Sequence, residues 1–495
     1  MDFIGGEDRD QTILLPESID EYVTEENAVR VIDAYVSGLN LEELGFSKPE
    51  PNDTGRPMYD PKDMLKLYVY GYMNRIRSSR RLENESKRNL ELIWLLCKLS
   101  PDHKTIARFR HENTVALKKV FGNFVQLCAK LGLYGKELIA IDGSKFKAVN
   151  SRKRNFTKKQ IEDKIAKITG KIEEYLKALE SNDEKENAAG GERTKGEIAQ
   201  IISNLKEHKE RYQGYAEELE KTGEKQKSLT DPDSRLMTTN SAKMDVCYNV
   251  QTAVDAKNKM IIDFEVSNQG NDKNFITPMA KMVQESLGTD RLKAVVDAGY
   301  ESIGDILSAM GCGVDVHVAG TDFDICVPAK GGEATEIKAH HNGRCVYIAE
   351  RNIGLCPMGN VLYPVFHTIQ KEKGPRAIFY NYAACKQCTS KCTKDGRGRF
   401  QYKIPMEKND FTKEYNDQGL AVKQIRIKGD KEIVKQRKSI VEHPFGTIKR
   451  AMDTGYCLTK GLRNVGGEFS LTFLAYNLKR AINILGCRKL IEGMA

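Results

Sequence analysis

The chain has 495 residues, of which 40% are hydrophobic, and 78 basic against 69 acidic side chains give a formal net charge of +9. The hydrophobic fraction excludes a wholly disordered chain, and no apolar run reaches the roughly 18 residues of a membrane-spanning helix. The acidic N-terminus lacks the layout of a signal peptide, so we expect a cytoplasmic protein with no membrane partner. The length predicts about three or four modules.

The charge is unevenly distributed along the chain. Residues 1–55 carry 14 acidic and 3 basic side chains, whereas residues 56–120 carry 15 basic and 7 acidic ones. Residues 421–495 form a second basic block, with 15 basic and 6 acidic side chains. Two basic blocks far apart in sequence are typical of contact with a polyanion at two places, although ordinary solvated helix faces give the same counts.

Residues 56–135 have the apolar spacing of helices, which predicts an all-α domain. The predicted helices start at Tyr59-Asp60-Pro61 and then cover Ile93–Leu99, Lys104–Asn113 and Val115–Leu131. A polar turn at Ser100–His103 between short helices is typical of a helix-turn-helix, but small helical bundles show the same pattern by chance.

Residues 157–228 carry a heptad repeat on both sides of a Gly190-Gly191 turn, in a stretch rich in Glu and Lys. The repeat positions are Ile161, Ile165, Ile168, Ile172, Tyr175 and Leu179, then Ile198, Ile202, Leu205, Tyr212, Ala216 and Leu219. This pattern predicts an antiparallel helical hairpin inserted between strands. A structural arm is its simplest role, and contact with DNA or a second subunit is the alternative.

Short apolar and alternating runs surround this insertion and predict strands. They lie at 137–142, 247–254, 260–266, 292–297 and 314–318, with helical segments near 272–287 and 301–310. The second and third runs are separated by a short polar turn, which predicts a β-hairpin. A hairpin followed by strands alternating with helices predicts an α/β fold with a mixed sheet and helical cover.

Two acidic residues, Asp142 and Asp297, each end a buried-looking strand and precede a small residue. That edge of an open sheet is where ligands gather. A third acid, Glu442, lies in a basic stretch where a helix would put Lys438, Glu442 and Lys449 on one face. Pro444, close behind it, predicts a kink there.

Four other acids lie near strand-like segments and compete for the same role: Asp245, Asp255, Asp263 and Asp315. Asp255 is better explained as the polar residue of the hairpin turn. Asp315 lies within a strand-like run and remains open as a residue that faces the site.

Seven of the twelve cysteines lie between residues 312 and 392. In a cytosolic chain such clustering favours a bound metal over disulfides, and thiolates suit a closed tetrahedral Zn²⁺ site. The predicted ligands are Cys356, Cys385, Cys388 and Cys392, with Cys345 and His367 as competitors for the fourth position. An iron–sulfur cluster and free thiols are the alternatives.

Several motifs, in order, make the chain recognisable. In the first 110 residues they are Thr54-Gly55-Arg56-Pro57, Tyr59-Asp60-Pro61, Tyr70-Gly71-Tyr72, Ile76–Glu83 and Pro101–Arg110. This part resembles the N-terminal domain of bacterial insertion-sequence transposases. Later motifs resemble the catalytic core of a DDE transposase: Ile141–Ser144, Tyr248–Asp255, Val296–Tyr300 and Val441–Lys449. The resemblance spans roughly residues 50–480.

The resemblance implies an RNase H-like core in which Asp142, Asp297 and Glu442 hold two Mg²⁺ ions, with Mn²⁺ as a substitute. It implies a DNA transposase that binds terminal inverted repeats of double-stranded DNA in the bacterial nucleoid, as a dimer or larger assembly, and that catalyses cleavage and strand transfer. Transposases of this type often carry a Cys-rich insertion between the second Asp and the Glu. A nuclease of the same fold and an inactive DNA-binding regulator are the alternatives.

The family often shows Tyr and Arg seven and four residues before the catalytic Glu, where this chain has Lys435 and Lys438, with Arg437 one residue away. This departure leaves their phosphate-binding roles open. The candidates for DNA contact are Lys104, Arg108 and Arg110 on the predicted recognition helix, and Lys438, Lys449 and Arg450 near Glu442. Arg77, Arg80 and Arg81 are an equally good reading element.

These predictions divide the chain into five parts. They are an acidic leader (1–55), a helical DNA-binding domain (56–135), an α/β core (136–156, 229–320 and 421–487), a helical hairpin (157–228) and a small Cys-rich insertion (321–420).

Overall fold

The computed structural model describes residues 18–46, 58–184, 195–239, 243–328, 338–339, 345–348, 351–370, 374–388, 400–403 and 422–494. Across these residues, no helix combines the length and the apolar character needed to cross a membrane.

Fourteen α-helices lie in the described residues. In chain order they are α1 Ala28–Ser37, α2 Pro61–Met73, α3 Ser79–Ser86, α4 Leu90–Leu95, α5 His103–Glu112, α6 Thr114–Lys130, α7 Lys158–Glu184, α8 Lys195–Thr222, α9 Ile276–Leu287, α10 Ile303–Gly311, α11 Tyr382–Gln387, α12 Lys431–Gly446, α13 Leu462–Leu485 and α14 Cys487–Glu492.

Sixteen strands accompany them in the same part of the chain. They are β1 Leu138–Lys147, β2 Asn155–Thr157, β3 Gln226–Ser228, β4 Arg235–Thr238, β5 Met244–Asp255, β6 Ile261–Ser267, β7 Leu292–Val296, β8 Val314–Val318, β9 Phe323–Pro328, β10 Lys338–Ala339, β11 Val346–Ile348, β12 Ile353–Leu355, β13 Val361–Gln370, β14 Gly374–Tyr380, β15 Phe400–Lys403 and β16 Val422–Ile427.

Helices α1 to α6 form an N-terminal bundle, and four of them start at a side chain that caps free backbone N–H groups. The capping residues are Asn27, Asp60, Asn89 and Asp102, and Pro61 occupies the first turn of α2. The helices α2, α4, α5 and α6 were predicted from the sequence, whereas α1 and α3 were not. Helix α1, within the predicted acidic leader, buries Val29, Ile32 and Tyr35 in the main core.

The central sheet is mixed, as the sequence predicted. Its strand order is β4-β5-β1-β7-β8. Strand β6 pairs with β5 on the same side as β4, further along β5. The pairs of β5 with β1, β4 and β6 are antiparallel, whereas β1, β7 and β8 run parallel. Both faces of the sheet are covered, because every residue of β5 from Val246 to Asp255 is buried.

Helix α12 packs on β1, β5, β7 and β8, while α9 packs on β5, β6 and β7. The predicted kink near Pro444 takes another form: α12 runs through Pro444 to Gly446 and continues as a π-helical turn at Thr447–Ala451. A π-turn shifts the side chains that follow it relative to a regular helix.

The insertion between β2 and β3 is the predicted antiparallel hairpin. Ile161 of α7 lies with Leu219 of α8, and Ile172 lies with Ile198 and Ile202. The turn at Gly190-Gly191 and the side chain of Leu179 lie outside the described residues.

The predicted Cys-rich insertion contains a second, antiparallel sheet in the order β10-β11-β12-β13-β14-β15. Strands β9 and β16 precede and follow this sheet in sequence and pair antiparallel with each other. Together they lead the chain out of the core and back.

A buried ion pair joins the N-terminal bundle to the long C-terminal helix α13. Arg77, 5% exposed, donates from Nη1 to Glu468 Oε1 at 3.2 Å and to the Tyr456 carbonyl at 2.9 Å, and from Nη2 to the Asp453 carbonyl at 2.8 Å. Glu468, 1% exposed, also accepts the backbone N–H groups of Leu458 and Thr459. The bundle, α13 and the sheet therefore share one hydrophobic core.

We expect Arg77→Met to destabilise the protein by about 3–5 kcal/mol, because it leaves the Glu468 carboxylate buried without its cation. Thermal unfolding of the full chain measures the change. Arg80→Gln, at an exposed position on the same part of the chain, is the control and should leave the midpoint unchanged. Adding Glu468→Gln to Arg77→Met should recover part of the loss, and no recovery would contradict the charge argument.

Candidate active site

The register of the two parallel strands β1 and β7 brings Asp142 and Asp297 together. Ala140 lies opposite Val295 in that pair, so two residues further along each strand Asp142 is level with Asp297. Neighbouring strands are about 4.8 Å apart, and residues two apart point to the same face. The two acids predicted from strand ends therefore lie side by side at the carboxyl edge of the sheet.

Asp142 lies in a largely buried position, with its side chain 22% exposed. Its Oδ1 accepts the N–H of Gly143 at 3.0 Å and lies 3.6 Å from Arg437 Nη1 of α12. Burial raises the pKa of Asp142 to about 7, since desolvation and the nearby Asp297 outweigh the opposing charge of Arg437. A carboxylate whose charged form is disfavoured in this way is stabilised by a closely bound cation.

Asp297 caps the short helical turn that follows β7. Its Oδ1 accepts the backbone N–H of Gly299 at 2.7 Å, which fixes the carboxylate at the start of Ala298–Tyr300. The Tyr300 side chain, fully buried, then anchors this turn beneath the site.

Glu442 lies on α12, away from the other two carboxylates. Its side chain is 65% exposed and lies 3.8 Å from Lys438 Nζ, one turn earlier on the helix. Within the described ranges, no three His, Cys, Asp or Glu side chains are close enough together to hold one metal ion. The structure thus brings together two of the three predicted acids and holds the third on the neighbouring helix.

Lys449 connects α12 to the strand that carries Asp142. Its Nζ donates to Ser144 Oγ at 2.6 Å and to the Lys145 carbonyl at 3.0 Å, and lies 4.5 Å from the centre of the Phe146 ring. Burial lowers the pKa of Lys449. The neighbouring Arg450 is exposed, as is Lys438.

A further acid at this edge, Asp272, was missed in the sequence. It lies in the loop after β6, and its Oδ1 accepts hydrogen bonds from Lys145 Nζ at 2.9 Å and from Gln251 Nε2 at 2.8 Å. The charge of Asp272 is among the influences that raise the pKa of Asp142. No periodic pattern marks a loop residue of this kind, so the sequence held no signal for it beyond the acid itself.

The competing acids have other partners. Asp255 is buried and accepts the N–H groups of Gly135, Lys136 and Lys257, in keeping with its predicted turn role. Asp315 pairs with His317 and Lys428 and does not face the site, which answers the question left open by the sequence.

Asp245 lies near Lys147 and Arg152, and Asp263 pairs with Lys118. Neither acid is among the charges that raise the pKa of Asp142.

The basic residues predicted on the recognition helix α5 divide into two groups. Lys104 and Arg108 are exposed. Arg110 is 9% exposed, donates to the Tyr72 hydroxyl at 3.1 Å and lies over the Tyr68 ring at 5.5 Å. Its burial argues against direct contact with DNA, because its guanidinium is occupied inside the bundle.

The alternative candidates for reading DNA, Arg77, Arg80 and Arg81, also divide into a buried and an exposed group. Arg77 is committed to the buried ion pair with Glu468, which argues against it as a DNA contact. Arg80 and Arg81 are exposed on α3, which packs against α5. Exposed basic side chains of α3 and α5 therefore lie on two helices in contact with each other.

Three of the insertion's cysteines share a small apolar cluster. Cys345 and Cys356 are buried in it with Phe379, and the partly buried Cys385 packs against them. Cys356 Sγ accepts the N–H of Asn360 at 3.3 Å. Cys388 follows α11 directly, whereas Cys392 and the side chain of His367 lie outside the described residues.

Two family models match the chain. Residues 17–112 match a transposase domain (DUF772), and residues 355–482 match a transposase DDE domain. The second match contains Glu442, while Asp142 and Asp297 lie between the two matched segments. No curated protein matches the chain. A cryo-EM structure of a piggyBac transposase synaptic complex with hairpin DNA is similar with a TM-score of 0.30 and 9% identity, covering 95% of this chain and 79% of that one.

We expect Asp142→Asn to stabilise the metal-free protein at pH 8 by about 1–3 kcal/mol. The pKa of Asp142, about 7, lies above its ordinary 3.8, so the folded chain binds more protons than the unfolded chain between these values. The aspartate's contribution to stability is therefore lost as the pH rises through that window. Thermal unfolding in EDTA at pH 8 and at pH 4 measures the difference, which should disappear at pH 4.

Asp315→Asn is the matched control for this experiment. Although burial opposes it, the charges of His317 and Lys428 lower the pKa of Asp315. Its replacement should therefore not stabilise the protein at pH 8. An equal gain in both variants would refute a specific penalty at Asp142.

Proposed function

We propose that this chain, which belongs to the DDE transposases of insertion sequences, cleaves and joins DNA strands with Asp142, Asp297 and Glu442 as its metal-binding acids. Its activity as a DNA transposase follows from the matched domains. The observation that carries the assignment of residues is the strand register, which sets Asp142 level with Asp297 at the carboxyl edge. A mixed sheet of antiparallel strands continued by parallel ones, with helices on both faces, supports an RNase H-like core.

The donor chemistry of the site fits Mg²⁺, with Mn²⁺ as a substitute. Hard divalent cations prefer carboxylate oxygens, and Asp142 and Asp297 offer adjacent carboxylates whose mutual repulsion a cation relieves. When bound, two such ions supply an activated water or 3′-hydroxyl and stabilise the leaving oxygen. The fit is incomplete without Glu442, so closure of the site requires its side chain to turn from Lys438 toward the two aspartates.

The cations around the site act on the DNA backbone in this proposal. Arg437 lies 3.6 Å from Asp142 and partly neutralises it before metal binds. With metal bound between the aspartates, the Arg437 guanidinium would be free to bind a phosphate, since its planar fork suits phosphate oxygens. Lys449 is held in place by its hydrogen bond to Ser144 Oγ, and it lies close enough to Asp142 for the two charges to interact. Lys438 and Arg450, both exposed, extend this basic surface.

End recognition belongs to the basic N-terminal bundle. Lys104 and Arg108 of α5, together with Arg80 and Arg81 of α3, form the exposed basic surface of two packed helices. Arginine reads guanine edges, while lysine contacts phosphate and gives mainly salt-dependent affinity. We infer that this surface binds the terminal inverted repeats of double-stranded DNA, and that two chains assemble to pair the two ends.

A sequence-independent nuclease of the same fold is the second candidate, because it would use the same acids. Specific binding to one terminal repeat, at a salt concentration that abolishes non-specific binding, separates the two.

The cysteine cluster is proposed to hold a structural Zn²⁺. Its proposed ligands are Cys385, Cys388 and Cys392, with Cys356 as the fourth and Cys345 and His367 as the alternatives to it. Within the described residues no three of these side chains are yet close enough together, so metal binding would have to draw them in. Support comes from the burial of Cys345 and Cys356 beside Cys385 and from the N–H group donated to the Cys356 sulfur. A closed tetrahedral site would stabilise this small sheet, whose apolar core contains few residues.

We expect Asp142→Asn, Asp297→Asn and Glu442→Gln each to reduce cleavage by at least about 1,000-fold, because each removes a metal-binding oxygen. Purified protein, Mg²⁺ and a labelled fragment that carries the element's end measure both cleavage and joining. Binding of the fragment should persist in all three variants. Glu432→Gln, at the exposed start of the same helix, is the control, and full cutting by any of the three variants would refute that residue's role.

Metal analysis of freshly purified protein is expected to give about one zinc per chain. The double variant Cys385→Ser with Cys388→Ser should lose it, because two of four thiolates are removed. Cys97→Ser, at an exposed cysteine of the N-terminal bundle, is the control. Zinc near zero in the unchanged protein would remove this proposal.

A further inference from the structure

Strand β5 directs two amides at one acid beneath the active site. Asn249 and Gln251 are fully buried, and they lie opposite Lys145 and Gly143 of β1. Asn249 Nδ2 and Gln251 Nε2 both donate to Asp272 Oδ1 at 2.8 Å, and Lys145 Nζ, whose side chain is 9% exposed, donates to the same oxygen at 2.9 Å. Three donors, one of them charged, thus fix a single carboxylate oxygen.

This network extends to the turn that carries Asp297. The hydroxyl of Tyr300, three residues after Asp297, donates to Gln251 Oε1. Gln251 is therefore held at both ends of its amide, by Tyr300 on one side and Asp272 on the other. The positions of β1, β5 and the Asp297 turn are tied together through Asp272.

The Asp272 carboxylate lies in space that is open because two neighbouring residues, Gly143 and Gly299, have no side chain. A Cβ atom on Gly143, the residue after Asp142, would lie 2.7 Å from Asp272 Oδ1 and 2.2 Å from Gln251 Nε2. A Cβ atom on Gly299 would lie 3.9 Å from Asp272 Oδ2 and 2.9 Å from Asp297 Oδ1. The carboxylate of Asp272 therefore spans the distance between the Asp142 strand and the Asp297 turn.

Two acceptor oxygens at this point have no donor in the described part of the chain. Asn249 Oδ1 is buried without a hydrogen bond and would lie 2.9 Å from a Cβ atom on Gly143. Asp272 Oδ2 accepts no hydrogen bond in these residues either, although Oδ1 accepts three, and with its side chain 24% exposed this oxygen is open to solvent. A buried acceptor without a donor is costly, which points to water or a cation as the partner of Asn249 Oδ1.

The charges point the same way. An ion pair with Lys145 alone would not require Asp272 to lie beside two other acids. Its position adds negative charge where Asp142 and Asp297 already lie side by side, and the guanidinium of Arg437, 3.6 Å from Asp142, offsets only part of it. A divalent cation would offset this repulsion, since every nearby negative charge attracts it.

We propose that Asp272 is a positioning residue of the cleavage centre, which is held through Oδ1 by Lys145, Asn249 and Gln251 and whose Oδ2 would orient water beside the metal ions that Asp142 and Asp297 would hold. This inference rests on the proposed function of Asp142 and Asp297. Asp272 acts without direct coordination in this proposal, because Lys145, Asn249 and Gln251 already donate to its Oδ1. The motif Tyr248–Asp255 thereby acquires a role through Asn249 and Gln251.

Asp272→Asn tests the proposal, with Asp315→Asn as the control acid on strand β8 of the same sheet. Binding of Mn²⁺ to the purified full chain, followed by electron paramagnetic resonance of the free ion, is measured without DNA. The Mn²⁺ concentration for half-maximal cleavage of the end fragment is measured beside it. Loss of an outer partner of a metal site usually costs about 10–100-fold in affinity, so both values should rise by that factor in Asp272→Asn alone.

Cleavage by Asp272→Asn should return at high Mn²⁺, which a purely structural defect would not allow. If Asp272→Asn fails to fold because Lys145 loses its partner, the double variant Asp272→Asn with Lys145→Met removes both charges and should show the same rise. Unchanged Mn²⁺ affinity in the folded variant overturns the proposal. If Asp142→Asn and Asp297→Asn also keep normal Mn²⁺ binding and normal DNA cleavage, the proposed function itself fails.

Discussion

The repulsion among acids at one edge of the sheet is the constraint around which the rest of this molecule is arranged. Asp142 and Asp297 lie level on adjacent parallel strands, in a position buried enough to raise the pKa of Asp142 to about 7. Arg437 on α12 offsets part of that repulsion in the absence of metal. A fold that holds this arrangement needs rigid support from outside the site, because the carboxylates themselves oppose it.

That support comes from parts of the chain that are far apart in sequence. Helix α13 packs against α2, α5 and α6 of the N-terminal bundle and against β6 of the sheet. The Arg77–Glu468 ion pair closes this contact and fixes the loop that leads from Lys449 into α13. The basic helices and the proposed cleavage site are therefore parts of one core, so a DNA end bound by the first would stand in a fixed relation to the second.

The sequence predicted most of the sheet and much of the bundle, because alternation and helical spacing record burial residue by residue. It failed for side chains whose role depends on distant partners. Arg110 and Arg77 were candidates for DNA contact because they are basic, yet both are buried. The partner of Arg77 is Glu468, 391 residues away, and no local pattern announces it. Helix α13 was likewise missed, because it is buried on nearly all sides, with polar residues among the buried ones, and so shows no amphipathic period.

By itself the sequence determined the chemical types at the site: two acids at strand ends, a third in a basic helix, and clustered cysteines. These are local properties, set by residue identity and short-range periodicity. Only the tertiary structure decided that Asp142 is level with Asp297, that Glu442 is not grouped with them in the described residues, and that Asp272 joins the edge. Register and loop placement depend on packing between distant segments, so a residue's neighbours in space follow from the whole core rather than from its neighbours in sequence.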